Sequence, residues 1–192
     1  MVSADVPDWS REAYRGWNPP RALIASIRAY QRIGERRGIV AWTRRKVLVA
    51  RHRFWSAVTG ADIPLNSRIG GGLLIPHPNG IVIHPDAIVG PNCLLFQQVT
   101  IGATARGVPT IGGHVDIGAG AKVIGPVTVG AHAAIGANAV VIADVPPDCV
   151  VAGIPARWLA ELRELTDPQL SQRERAGTGS VASATSCTRS DV

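Results

Sequence analysis

Along residues 61–141 an aliphatic side chain returns at every sixth position. The register reads Ile63, Ile69, Ile75, then Ile83, Val89, Leu95, Ile101, then Ile111, Ile117, Val123, Val129, Ile135 and Val141. The residue two before each is small or β-branched, as in Ala61, Ser67, Cys93, Val99, Val115 and Ala139; Leu73 and Pro109 are the exceptions, and Ile81 is larger than the rest. A period of six fits neither a helix at 3.6 nor the simple alternation of one strand. It fits short parallel strands joined by tight turns, three hexapeptides closing one triangular turn. Glycine commonly follows the aliphatic residue, and it is the residue that takes φ > 0 corners without a steric penalty. The pattern therefore predicts a mainly β protein, a parallel β-helix of four to five coils at residues 61–157 with the large aliphatics on the axis and the small residues completing each layer.

The register slips by two residues between Ile75 and Ile83 and by four between Ile101 and Ile111. Loops must leave the coil there, the first containing Pro76-His77-Pro78-Asn79-Gly80 and the second running over residues 103–109. A regular scaffold interrupted by two Gly/Pro-rich loops places chemistry at those loops.

The flanks follow other rules. Residues 1–60 read as an N-terminal helical region. Residues 1–20 within it form an irregular lead-in in which Pro19-Pro20 stops any early helix. From Arg21 onward Leu23, Ile24, Ile27, Tyr30 and Ile33 recur at helical spacing up to Gly38, and a second helix is expected from about Ile39 to Val58. These helices are expected to pack on each other and on the first coil, or on another subunit. Residues 158–192 read as a short closing helix over 158–165 and a disordered tail, since almost no large apolar residue occurs beyond 166.

Composition narrows the function. The chain has 192 residues and a net charge of +6, but the charge is local: residues 21–53 carry ten Lys or Arg and one acid, Glu35. Such a cluster suits a solvated basic helix face, an anionic surface or a partner subunit. It lacks the aromatic interleaving and groove-reading motifs of a nucleic-acid binder, so no nucleic acid is expected. No apolar run reaches the ~20 residues of a transmembrane segment. The N-terminus lacks a signal pattern, and a cytoplasmic location is the expectation. Cys93, Cys149 and Cys187 are odd in number and lack CxxC spacing, which indicates neither a disulfide framework nor a zinc site.

The hexapeptide register, with GGLLIPHPNGIVIHPDAIVGPNCLLFQQVTIG, VDIGAGAKVIGPVTVGAHAAIGANAVV and the closing VPPDCVVAGIPAR, resembles the hexapeptide-repeat acyltransferases. Within them it is most similar to serine O-acetyltransferases, which transfer acetyl from acetyl-CoA to L-serine in cysteine biosynthesis. The resemblance implies a left-handed β-helix, a homotrimer with active sites between subunits, often a dimer of trimers paired through N-terminal helices, acetyl-CoA as donor, and no metal. It also implies roles for particular residues. His77, in the loop after the first coil, matches the family's general base, and Asp62, fifteen residues earlier, matches the carboxylate that orients it. A hydroxyl is a poor nucleophile, and a His with pKa near ~6.5 can take its proton during attack on a thioester.

Ala103, Ala119 and Ala137 match contacts of the family's acetyl-CoA groove, where small residues let the pantetheine arm lie flat. Gly102 and Ala103 N–H groups match donors to the developing oxyanion, and Arg157 suits a CoA phosphate. The related trimeric carbonic anhydrases bind zinc through several histidines between subunits. Of the His spacings here only His77 to His84 is comparable in kind, so His84, His114 and His132 read as surface or corner residues. Serine acetyltransferases can also insert a C-terminal Ile into O-acetylserine sulfhydrylase; here the last residue is Val192.

Two departures bear on the acceptor. Many serine acetyltransferases carry Asp just before the base and an Arg-His pair in the long loop, groups that hold the serine carboxylate and amine. This sequence has Pro76, and Gly107-Val108. L-Serine is the acceptor the overall resemblance favours; the alternative is a sugar of a polysaccharide or natural-product pathway, since a neutral acceptor needs no charged clamp.

Overall fold

The structure, a computed structural model, describes residues 2–159. All thirteen register positions are buried, and so are the positions two before them, the larger Leu73, Ile81 and Pro109 included. Three parallel sheets build a triangular prism. The first face stacks Val82–Ile83, Thr100–Gly102, Lys122–Ile124 and Val140–Val141. The second stacks Arg68–Ile69, Ile88–Val89, Thr110–Ile111 and Thr128–Val129. The third stacks Leu94–Leu95, Asp116–Ile117, Ala134–Ile135 and Val150–Ala152, and then the antiparallel Arg157–Trp158. Trp158 thus closes a sheet rather than opening a helix; the rest of the expected closing helix, and the tail, lie outside the described residues apart from Leu159.

Strands of adjacent turns pair in register, Val82 with Thr100 and Lys122 with Val140, eighteen residues or three hexapeptides apart. The offset lengthens where the sequence slips, Arg68 pairing with Ile88 and Ile88 with Thr110. Close stacking explains the recurring glycine: a Cβ on Gly90 would fall 2.5 Å from the Gly112 backbone. Corners turn through positive φ, and several are not glycine: Asn92, Gln98, His114, His132, Asn138 and Asp148. Asn and Asp tolerate this conformation best among non-glycine residues, so the corners belong to a short list of residue types.

Two helices roof the first turn. α1, Pro19–Gln31, has Asn18 as its N-cap, the side chain accepting from the Arg21 N–H at 3.2 Å. The proline pair expected to block a helix instead starts one, because Pro lacks only an N–H that the first turn leaves unpaired. Leu23, Ile24 and Ile27 join the same buried cluster as the coil. α2, Ile39–Thr59, ends on Gly60 in the left-handed conformation.

The lead-in is also ordered. A 3₁₀ turn, Trp9–Glu12, holds Glu12 against Arg28 of α1. The buried Arg28 guanidinium donates to the carbonyls of Ile69 at 2.7 Å and Gly70 at 2.6 Å. Along the second face each turn's N–H donates to the next turn's carbonyl, Gly70 to Val89 and Gly90 to Ile111. The Ile69 carbonyl has no preceding turn, and Arg28 takes the place of that missing donor. Asn92, wholly buried at its corner, accepts from the Asp8 N–H and donates to the Ser3 and Val6 carbonyls. Cys93 is buried in the core as a free thiol.

Candidate active site

One edge of the prism collects most of the singled-out residues. The corner Asn79-Gly80 follows His77 after Pro78, and the chain returns to this edge at Gln97-Gln98, Ala119-Gly120 and Ala137-Asn138. Backbone hydrogen bonds tie the rungs: Gln98 N–H to Asn79 O, Gly120 N–H to Gln97 O, and Asn138 N–H to Ala119 O, each 2.8 or 2.9 Å. Below them the Val140 N–H donates to Gly153 O, and the turn over 153–156 leads into Arg157. His77, Ala119, Ala137 and the approach to Arg157 therefore lie in file. Four rung-to-rung spacings of ~4.8 Å make a track of roughly 19 Å.

Asp62 begins the first face beside this edge. Its N–H donates to Ile81 O at 2.8 Å, and Gly80 N–H donates to Gly60 O at 2.8 Å, so the His77 loop is stitched to the backbone that carries Asp62. Both side chains are exposed. Among the described residues neither makes a side-chain hydrogen bond or ion pair, so the structure brings the two segments together without a His77–Asp62 contact.

Gly102 and Ala103 stand elsewhere. Gly102 ends a strand of the first face at its opposite edge, across the face from the His77 loop, and Ala103 follows it. No hydrogen bond engages the Ala103 N–H among the described residues. The second slip folds as a tight turn in which Thr104 N–H donates to Gly107 O at 2.9 Å and Gly107 N–H returns to Thr104 O at 3.1 Å. Arg106, at the tip of that turn, is exposed. The family's motif falls on Gly107 and Val108 and does not cover this cation, which only its place next to a slip in the register marks.

Gln97 was missed as well. Its Oε1 is buried without a hydrogen-bond partner among the described residues, on the rung next to the His77 loop. A buried acceptor left unpaired costs about 1–3 kcal/mol, so its position marks where a donor belongs.

The other histidines are accounted for by the scaffold. His84 Nδ1 accepts from the Asp86 N–H at 3.2 Å and lies 4.0 Å from the Asp86 carboxylate. His114 and His132 occupy successive rungs of the corner between the second and third faces, with their Nδ1 atoms 2.8 Å apart. Among the described residues no three His, Cys, Asp or Glu side chains are grouped to hold a metal ion.

A serine acetyltransferase of Synechococcus elongatus is 44% identical over 115 residues, 58% of this chain and 47% of the relative. A solved serine acetyltransferase in complex with CoA superposes with a TM-score of 0.62 at 31% identity, over 74% of this chain and 57% of the other. In sequence and in fold the chain resembles serine acetyltransferases. A soybean serine acetyltransferase complexed with serine superposes similarly, with a TM-score of 0.59 at 32% identity over 73% of this chain and 56% of that one. The shared fold is the left-handed parallel β-helix preceded by helices. The chain spans about half the length of the curated relatives it matches. No protein-family model matches it.

Proposed function

We propose that the chain is an acetyl-CoA-dependent serine O-acetyltransferase, a cytoplasmic enzyme that transfers acetyl to the L-serine hydroxyl and supplies O-acetylserine to cysteine biosynthesis. The observation that carries this reading is the file of His77, Ala119, Ala137 and Arg157 along one edge, on a fold shared with an enzyme solved with CoA and one solved with serine. Small corner residues leave room for an extended pantetheine arm, and Arg157 would meet its phosphates at the far end.

In this mechanism His77 takes the proton of the serine hydroxyl as the oxygen attacks the thioester carbon. Asp62, brought beside the loop on substrate binding, steadies the imidazolium. The uncommitted Ala103 N–H, with Gly102, receives the oxyanion. Collapse breaks the carbon–sulfur bond, and the departing thiolate recovers the proton from His77. Gln97 Oε1 would accept from a donor of the bound arm or of the serine ammonium.

His77 and Ala103 lie at opposite edges of one face, so the edge of a second copy is needed to bring base and oxyanion donor together. A homotrimer with sites between copies meets that need, and pairing of trimers would add a dimer of trimers. Docking of a C-terminal segment into O-acetylserine sulfhydrylase is a further proposal, for residues outside those described. Arg106, exposed in the turn that follows Ala103, would supply a cation for the serine carboxylate that the family's Arg-His pair would otherwise provide. The alternative acceptor, a sugar, is favoured by Pro76 and by the tightness of the 104–107 turn, which presents no other charge.

Purified protein with acetyl-CoA and L-serine, followed by free-thiol release, tests the reading. Release with serine supports it; release only when a sugar is supplied reassigns the acceptor, and release with neither removes the enzymatic reading.

A further inference from the structure

α2 carries two apolar faces, and only one is used inside the chain. Ala41, Leu48 and Trp55, seven residues apart, face inward, and the His52 Nε2 between them is 2.8 Å from Ile63 O. On the other side Val40, Thr43, Val47, Ala50, Phe54 and Ala57 recur three and four residues apart, the spacing of one helix stripe. Every one of them is exposed, Val47 at 61% and Phe54 at 54%. Arg44 and Arg51 line one flank of the stripe, Lys46 and Arg53 the other, and the 21 residues of α2 include no Asp or Glu. Exposed aromatic rings border the stripe: Phe54 lies 5.0 Å from the inward Trp55, whose other neighbour, the exposed Trp17, is 5.3 Å away, and Lys46 sits over the exposed Trp42 at 5.7 Å.

The occupant of this stripe follows from its flanks and its relief. A second copy of α2, in either direction, would set Arg and Lys against Arg and Lys along both sides, and like charges at such positions repel. The alternate layer of Thr43, Ala50 and Ala57 is also too small to supply the knobs a helical partner would grip. A lipid surface needs no complementary knobs: a shallow apolar stripe enters the headgroup boundary, aromatic rings sit at its margin, and flanking cations reach the phosphates. We propose that α2 docks the protein on an anionic lipid bilayer, lying in the plane of the surface over about 30 Å of helix. Peripheral docking requires no spanning segment, and no described helix is long and apolar enough to cross a membrane.

The test is co-sedimentation of the full chain with vesicles of phosphatidylcholine alone and of phosphatidylcholine containing a minor share of phosphatidylglycerol. Binding is expected only to the anionic vesicles and should weaken as salt is raised. Phe54→Asp should abolish it, and each of Lys46→Glu and Arg53→Glu, exposed enough to leave folding intact, should weaken it about fivefold or more. Absence of binding by the unaltered protein would overturn the proposal, as would equal binding to neutral vesicles or binding that survives all three substitutions. So would two positive results for other occupants: capture of a synthetic acidic amphipathic peptide while vesicles are ignored, or self-association through α2 that Phe54→Asp removes.

Discussion

Arg28 and Glu12 form a two-pronged ion pair, Nη2 to Oε1 at 2.8 Å and Nε to Oε2 at 3.1 Å, with both side chains about nine-tenths buried. Each charge has further partners: Glu12 also accepts from the Gly72 and Leu73 N–H groups, and Arg28 also serves two carbonyls. Removing one partner strands the other in a dry site. Arg28→Ala is therefore expected to lower stability by about 3 kcal/mol, read from the urea midpoint at fixed protein concentration. A loss below about 1 kcal/mol would show that the pair is not what pins the lead-in to the coil.

His77→Ala should separate chemistry from stability. The side chain is exposed and makes no hydrogen bond among the described residues, so unfolding should shift by no more than about 0.5 kcal/mol. Thiol release should fall by roughly 10²–10⁴-fold if His77 is the base. Activity retained in the alanine variant would take the role from His77.

Arg106 distinguishes the two acceptors. If it holds a serine carboxylate, Arg106→Ala should raise KM for L-serine about tenfold or more with a smaller effect on kcat, and Arg106→Lys should recover part of the loss. An unchanged KM would favour a neutral acceptor.

Burial pushes the Cys93 thiol up to about 11 from an ordinary value of 9.0. Below pH 9 the thiol is protonated in both folded and unfolded chains and contributes no pH dependence. Between 9 and 11 the unfolded chain releases the proton while the folded one keeps it, so stability falls as pH rises, by about 1.4 kcal/mol per unit. Denaturation of the unaltered protein and of Cys93→Ala across this range should differ by that slope. Alkylation of Cys93 at pH 8 should likewise be slow until the coil unfolds.

The coil was legible because its rule is local and repeats: each turn buries the same two positions per hexapeptide, and thirteen consecutive aliphatics leave little else to propose. The lead-in was not legible, because what orders it comes from far along the chain. Asn92 binds Ser3 and Val6 across more than eighty residues, and no pattern within residues 1–20 signals that partner. The proline pair misled for a different reason, since the same residue blocks a helix interior and suits its first turn. At the candidate site the segments bearing His77 and Asp62 were foreseeable from the slip and the spacing. The separation of Ala103 from them was not, because it depends on which corner of the triangle each loop leaves.

A stack of parallel strands ordinarily offers an open rung at each end, ready to receive the end of another molecule and grow into a filament. Here the lower rung of the third face is taken by Arg157–Trp158 running the opposite way, and on the second face the upper acceptor at Ile69 is taken by a side chain rather than a strand. The length of the coil is therefore set by its terminations and not by its repeats. An extra turn of eighteen residues inserted between Ile117 and Ile135 should lengthen the prism and leave it monodisperse. Deleting residues from 157 onward, which uncovers a parallel edge, should instead drive end-to-end polymerisation, visible as concentration-dependent light scattering.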